Sequence, residues 1–142
     1  FFKEAKRRDV GIIVRVPLAS GLLTGLYQED TVFAKDDHRH FNRDGAGFDK
    51  GETFSGVDYD LGLAAVAKLK ALFPGEKNLA PIALQWILTH PEVSCVIPGA
   101  SKLAHLASNF SVYERAALSP EKVSAMNAIY EEYIKPEVHQ LW

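Results

Sequence analysis

The run Val93-Ser-Cys-Val-Ile97, turned at Pro98-Gly99 and followed by Ser101-Lys-Leu-Ala-His-Leu-Ala-Ser-Asn109, leaves this chain few folds to choose from. A short apolar run bounded by turn residues reads as a buried strand. Leu103, Leu106, Ala107 and Phe110 then recur at helical spacing, with Ser101 as the expected N-cap. A strand that turns through glycine into a helix start presents backbone N–H groups and the positive end of a helix dipole, a ready anion site. Lys102 and His105 stand where they add cationic contacts. The alternative is a strand–turn–helix connection with an ordinary cap.

A second unit of the same kind lies near the start. Phe1–Arg8 is helix-like, and Val10-Gly-Ile-Ile-Val-Arg-Val16 is a β-branched run of the sort expected for a strand covered on both faces. Pro17-Leu-Ala-Ser-Gly-Leu-Leu-Thr-Gly25 follows at the strand's C-terminal end, the edge where α/β sheets and barrels bind ligands. Helix and buried strand in alternation predict a parallel sheet.

The remaining elements are a long polar stretch and helices. Residues 26–56 are irregular and rich in glycine, a length typical of functional lids. Asp36-Asp-His-Arg-His40 inside it fits no established metal-ligand spacing and reads as a solvated loop. A helix is predicted over 57–73 with Leu61, Ala64, Ala65, Lys68, Leu69 and Leu72 on its inner stripe. Another is predicted over 79–89, with Pro81 in its first turn. Ser119-Pro120 starts a last helix that Lys135-Pro136 is expected to end near Ile134, leaving a tail to Trp142.

Composition narrows the function classes. A net charge of −2 gives no electrostatic reason to expect nucleic acid or an anionic membrane as partner. The single cysteine, Cys95, rules out an intrachain disulfide and suggests the cytoplasm. Its apolar neighbours predict a core thiol rather than a nucleophile. Neither a Gly-x-Ser-x-Gly elbow nor a phosphate-binding Gly-Lys-Ser/Thr loop occurs. Two buried strands are too few for a free-standing sheet. The only methionine is Met126 and the chain opens in mid-helix, so the expectation is a segment of a longer protein.

At the two strand ends the chain resembles the aldo-keto reductases. Val14-Arg-Val-Pro-Leu-Ala-Ser-Gly-Leu-Leu-Thr-Gly25 is similar to that family's seventh-strand loop. Ala83-Leu-Gln-Trp-Ile-Leu88, with Val96-Ile-Pro-Gly-Ala-Ser101 and Asn109, is similar to its eighth-strand and cofactor signature. Phe41-Asn-Arg-Asp-Gly45, Gly51-Glu-Thr-Phe-Ser-Gly-Val57 and His139-Gln-Leu-Trp142 look like a bacterial branch. The resemblance covers residues 1–142 as one piece, the C-terminal portion of a (β/α)₈ TIM barrel, a fold of about 250 residues. It implies NADPH-dependent reduction of aldehydes and ketones in the parent protein, with a small carbonyl compound as substrate.

The resemblance also implies site residues. Arg15 falls where the family often places an aromatic against the nicotinamide, and a guanidinium stacks in the same way. Val16, Pro17, Leu18, Ser20, Gly21 and Leu22 fall in the loop that cradles the pyrophosphate, with Val16 replacing a common Ser. Arg39 matches the lid arginine, with Arg43 as the fallback. Gly99, Ala100, Ser101, Lys102, His105, Ser108 and Asn109 match positions around the 2′-phosphate and adenine. Gly99 replaces a common Lys and His105 a common Arg, which leaves NADH open as a second cofactor. The Asp, Tyr, Lys and His of the catalytic tetrad have no counterpart, so this chain is expected to supply cofactor contacts and no catalytic residue. His139 and Trp142 are expected either to line the substrate pocket or to pack the tail onto the barrel. Two other readings are a non-catalytic cofactor-binding subunit, of the kind found on potassium channels, and a truncated half-barrel that pairs its open sheet edges by self-association.

Overall fold

The computed structural model describes residues 1–141 of the chain. Trp142, expected at the substrate pocket or on the barrel wall, lies outside the described residues. The chain divides into two compact units, one made of Phe1–Leu18 with Ala80–Leu118, the other of Ala19–Leu79 with the stretch from Ser119 onward.

The first unit holds α1 (Phe2–Arg7), β1 (Ile12–Arg15), α4 (Ala80–Leu88), β2 (Val93–Ile97) and α5 (Leu103–Phe110). The two strands pair in parallel with Ile12 opposite Val93 and Ile13 opposite Cys95, so Ser94 is skipped. The slip is compensated locally, because Ser94 Oγ accepts the Ile12 N–H at 3.3 Å. Gly11 permits this, since a Cβ there would sit 3.0 Å from that hydroxyl. Helix α4 packs against both β2 and α5 and buries Ala80, Pro81, Ile82, Leu84 and Gln85.

The strands are covered on one face only, which corrects the expectation of two. Ile12 is buried and Val14 half-buried, while Ile13 is 66% exposed and Ile97 54%. Cys95 is likewise exposed, not a core thiol. Apolar content cannot distinguish one-sided from two-sided burial when the β-branched residues on both faces look alike. Among the described residues the sheet has two strands.

The second unit holds α2 (His38–Phe41), α3 (Tyr59–Leu72), α6 (Pro120–Ile129) and α7 (Lys135–Val138), with short 3₁₀ turns at Ala19–Thr24, Lys50–Glu52 and Phe54–Gly56. Asp58 caps α3 by accepting from the N–H groups of Asp60 and Leu61. The buried face is Tyr59, Gly62, Ala65 and Val66, rotated from the expected stripe, and Ala64 and Lys68 are exposed. Gly62 explains the rotation: a Cβ there would lie 2.6 Å from Leu22 Cδ2. The missing side chain lets buried Leu22 approach α3 and draws that face inward.

The last helix starts at Ser119 and Pro120 as expected, with the Ser119 side chain accepting from the Lys122 N–H. Its expected end at Lys135-Pro136 does not occur. A π-helical turn over Tyr130–Ile134 leads into α7, where Pro136 sits in the first turn and needs no N–H partner. The Lys135–Glu131 ion pair, 2.6 Å long, spans the junction. Among the described residues no helix is long and apolar enough to cross a membrane.

Replacing Ser119 with Ala removes a cap that α6 uses. Stability is expected to fall by about 1 kcal/mol, with faster amide exchange at Lys122 and little change in α3.

Candidate functional site

In the first unit, both strands deliver their C-terminal ends to one edge, because Arg15 pairs with Ile97. Arg15 and Val16 are exposed there, Pro17 is buried and Leu18 half-buried. Val16 adopts φ +50°, a left-handed conformation costly for a β-branched residue. Gly99, Ala100, Ser101 and Lys102 follow β2 and are all exposed. The N-cap of α5 is Lys102, not Ser101, and no side chain caps it. Ser101 is turned to His105 instead: its N–H and its hydroxyl each lie 3.4 Å from His105 Nδ1. Buried Asn109 closes the loop, donating from Nδ2 to the Gly99 carbonyl at 3.4 Å. Ser108 is half-buried beside it. A Cβ on Gly99 would meet nothing within 4 Å, so the space in front of this turn is open.

In the second unit, Ala19, Ser20 and Gly21 are consecutive left-handed residues, with φ of 46°, 56° and 91°. The Ser20 hydroxyl lies 3.3 Å from His38 Nε2, 3.4 Å from the Glu52 carbonyl and 3.2 Å from the Phe54 N–H. Its own carbonyl accepts from the Tyr27 hydroxyl at 3.2 Å. Gly21 is required here, since any Cβ would strike the Tyr27 hydroxyl. Leu22 is buried against α3, and its side chain belongs to the core.

The long polar stretch is built around charges and rings. Asp37 caps α2 through the Arg39 N–H and also holds the Arg39 guanidinium with both carboxylate oxygens. Arg39 donates further to the Tyr27 hydroxyl and lies 4.8 Å over the Phe33 ring. Its hydrogen bond to Asp37 is the main reason that carboxyl titrates at about 2 and the guanidinium above its ordinary value. Arg43 stacks 4.3 Å over Tyr59 and donates to the Arg39 carbonyl. Both arginines are therefore folded onto the Tyr27, Phe33, Phe54 and Tyr59 cluster, engaged within the unit.

Asn42 fastens the same stretch and was not anticipated from sequence. It is fully buried, accepting from the N–H groups of Gly47 and Phe48 at 2.8 and 2.9 Å and donating to Thr53 Oγ1 at 3.1 Å. Asp37, His38 and Tyr27 were also missed. The available signal was Asp37 before a short cationic run, and Asn42 ahead of Gly45 and Gly47, both turn-forming patterns. Among the described residues no group of three or more His, Cys, Asp or Glu is placed to hold a metal. His139, on the tail, accepts or donates at Nδ1 to the Tyr130 hydroxyl at 2.7 Å.

The chain as a whole has relatives among known proteins. Residues 1–131 match the profile of the aldo/keto reductase family. The chain belongs to that family. It is 33% identical to an aldo-keto reductase of Strobilurus tenacellus over 92% of this chain and 36% of that protein. It is 25% identical to an NADP(+) aldo-keto reductase of Schizosaccharomyces pombe, over 76% of this chain and 29% of that one. It is also 30% identical to a probable voltage-gated potassium channel subunit beta of Oryza sativa, over 86% of this chain and 36% of that protein. The chain thus spans about a third of the length of the curated relatives it matches. A solved glycerol dehydrogenase from Gluconobacter oxydans superposes with a TM-score of 0.70 at 24% identity, covering 94% of this chain and 38% of that one. That likeness establishes the fold, α/β with a small parallel sheet, consistent with part of a TIM barrel.

Two outcomes follow for this family member. In Asn42→Ala the Gly47 and Phe48 amides lose their acceptor, so their exchange should accelerate while the unit loses roughly 2–3 kcal/mol. For Asp37 the folded carboxyl lies below the unfolded one, so its contribution is complete above about pH 4 and is lost as pH falls toward 2. Carboxyl titration by NMR should give a midpoint near 2, and Asp37→Asn should flatten the acid limb of stability.

Proposed function

We propose that the parent protein is an NADP(H)-dependent oxidoreductase that reduces aldehydes or ketones to alcohols, with this chain supplying cofactor contacts from the seventh- and eighth-strand portion of the barrel. The observation that carries the reading is the N-terminus of α5, uncapped by any side chain, with exposed Ser101 and Lys102 before it and open space at Gly99. Backbone N–H groups, a hydroxyl and an ammonium form a donor set that fits a phosphate.

When bound, NADPH supplies the hydride that goes to the carbonyl carbon. The residues of this chain bind and orient it. In the first unit, Arg15 is assigned to the nicotinamide face, Val16, Pro17 and Leu18 to the backbone of the cradle, and Ser101, Lys102 and His105 to the 2′-phosphate. Gly99, Ala100, Ser108 and Asn109 shape the adenine end. In the second unit, Ser20, Gly21 and Leu22 form the turn assigned to the diphosphate, and Arg39 is the lid cation. Arg39 reaches a ligand only by giving up part of its hold on Asp37. The proton donor is not assigned to any of these residues, and the isolated chain is expected not to turn over. The exposed Ile13 and Ile97 face of the sheet calls for cover, from the remaining strands of a barrel or from self-association. A cytoplasmic location fits the exposed, unpaired Cys95.

The likeness to a potassium channel subunit beta favours a second reading, a cofactor-binding subunit without turnover. Carbonyl-dependent NADPH consumption by the full-length protein separates the two. Within the first reading, Lys102→Ala should weaken NADPH roughly fivefold to tenfold in a fluorescence titration and leave NADH nearly unchanged. Equal losses for both cofactors would remove Lys102 from the 2′-phosphate, and binding of neither by the unaltered protein would sink the cofactor reading.

A further inference from the structure

Helix α3 turns one face inward and leaves another open. On the open face Asp60, Ala64, Ala67 and Lys70 are exposed and Leu63 is half-buried. Together with the segment Tyr27–Asp30 they line an open cleft of about 650 Å³. Hydrogen bonds fix the segment that forms the second wall. The Tyr59 hydroxyl donates to the Gln28 carbonyl at 2.9 Å, and the Thr31 hydroxyl accepts from the Gln28 N–H at 2.7 Å. A Cβ on Gly25 would lie 3.0 Å from Lys70 Cε, so this wall runs antiparallel to α3, from Lys70 toward Tyr59. Glu29 and Asp30 therefore join Asp60 at one end of the cleft, and Lys70 stands at the other.

Asp60, Leu63, Ala67 and Lys70 follow the alternating three- and four-residue spacing by which helices pack side by side. Their order is self-complementary. Asp60 and Lys70 stand equally far from Ala65 along α3, and so do Leu63 and Ala67. A two-fold axis crossing α3 at that level sets two copies antiparallel, with Leu63 against Ala67 of the second copy and Asp60 beside Lys70 of the second copy. Large meets small and acid meets base at both ends. Among the described residues neither Asp60 nor Lys70 takes part in an ion pair. We propose that this face joins two copies of the chain as a two-fold dimer, α3 against α3. The lysine of each copy enters the acidic end of the other's cleft. A foreign basic helix would match that end and meet Lys70 at the far one, whereas a second copy matches both. The contact spans about three helical turns, which makes it a small and readily reversible interface. The proposal uses residues of the second unit alone and does not rest on the cofactor reading.

The test is sedimentation equilibrium of the full-length protein at low salt, from about 1 μM to about 1 mM. The unaltered protein should show a monomer–dimer equilibrium that weakens as salt rises. Asp60→Lys alone and Lys70→Asp alone each set like charges opposite one another at both ends of the contact. Either should raise the dissociation constant roughly tenfold. Mixing the two variants should restore dimers built from one copy of each, since every lysine then faces an aspartate. The double variant Asp60→Lys/Lys70→Asp should restore pairing by itself. A variant that had lost its fold could not be rescued in either way. A monomer over the whole range would overturn the proposal. So would a dimer that neither single variant weakens, because another face would then hold it, and so would losses that neither mixing nor the double variant reverses. If the protein stays monomeric while a lysine-rich peptide shifts the amide signals of Glu29, Asp30 and Asp60, the cleft takes a foreign segment and the proposal falls.

Discussion

The in-register pairing of Arg15 with Ile97 is the constraint on which the rest depends. Parallel strands cannot be joined by a tight turn, so the chain must leave β1 and travel back before it can form β2. The excursion here is 77 residues by position, from 16 to 92, and it contains the Ala19–Gly21 turn, the long polar stretch, α3 and α4. Because the strands run the same way, both exit at one edge. That brings Val16–Leu18 and Pro98–Lys102 out together, although about 80 residues separate them in sequence. The slip at Ser94 is tolerated because it lies at the opposite end of the pair, near Ile12, and leaves the exit register intact.

What sequence made legible was local. Ser119-Pro120 is a cap whose effect is confined to one turn, and that helix starts where these residues place it. The strands were visible from β-branched runs, and the loops after them do leave the sheet at one edge. What was not legible depends on partners distant along the chain. Nothing near Gly62 announces that Leu22 will press against it, and that contact set the buried face of α3. Pro136 reads as a breaker because the rule assumes a regular α-helix, and the π-helical turn before it removes the conflict. Cys95 looked buried because a strand's apolar content does not say how many layers cover it.

The long polar stretch over residues 26–56 shows how its charges are arranged within the unit. Asp37 serves two purposes, capping α2 and gripping Arg39, and the second use holds its titration far below that of an ordinary carboxylate. Arg43 gives its charge to aromatic faces rather than to an anion. Stacking of this kind keeps a guanidinium ordered at modest desolvation cost, since its planar face is weakly hydrated. This stretch is therefore a packed structure with an aromatic floor and a fully buried asparagine as its fastening.

The α5 turn follows a different logic. Where the family often has a permanent cation, this chain has His105, and in the structure that ring is not aimed outward but back at Ser101. For the Ser101 N–H to donate there, Nδ1 must carry the lone pair, so the neutral ring holds its proton on Nε2. A phosphate arriving at the same N–H competes with His105 for it. An arginine would contribute charge without this exchange. The turn before α5 thus holds an imidazole engaged with Ser101, and Lys102 is the permanent cation beside it.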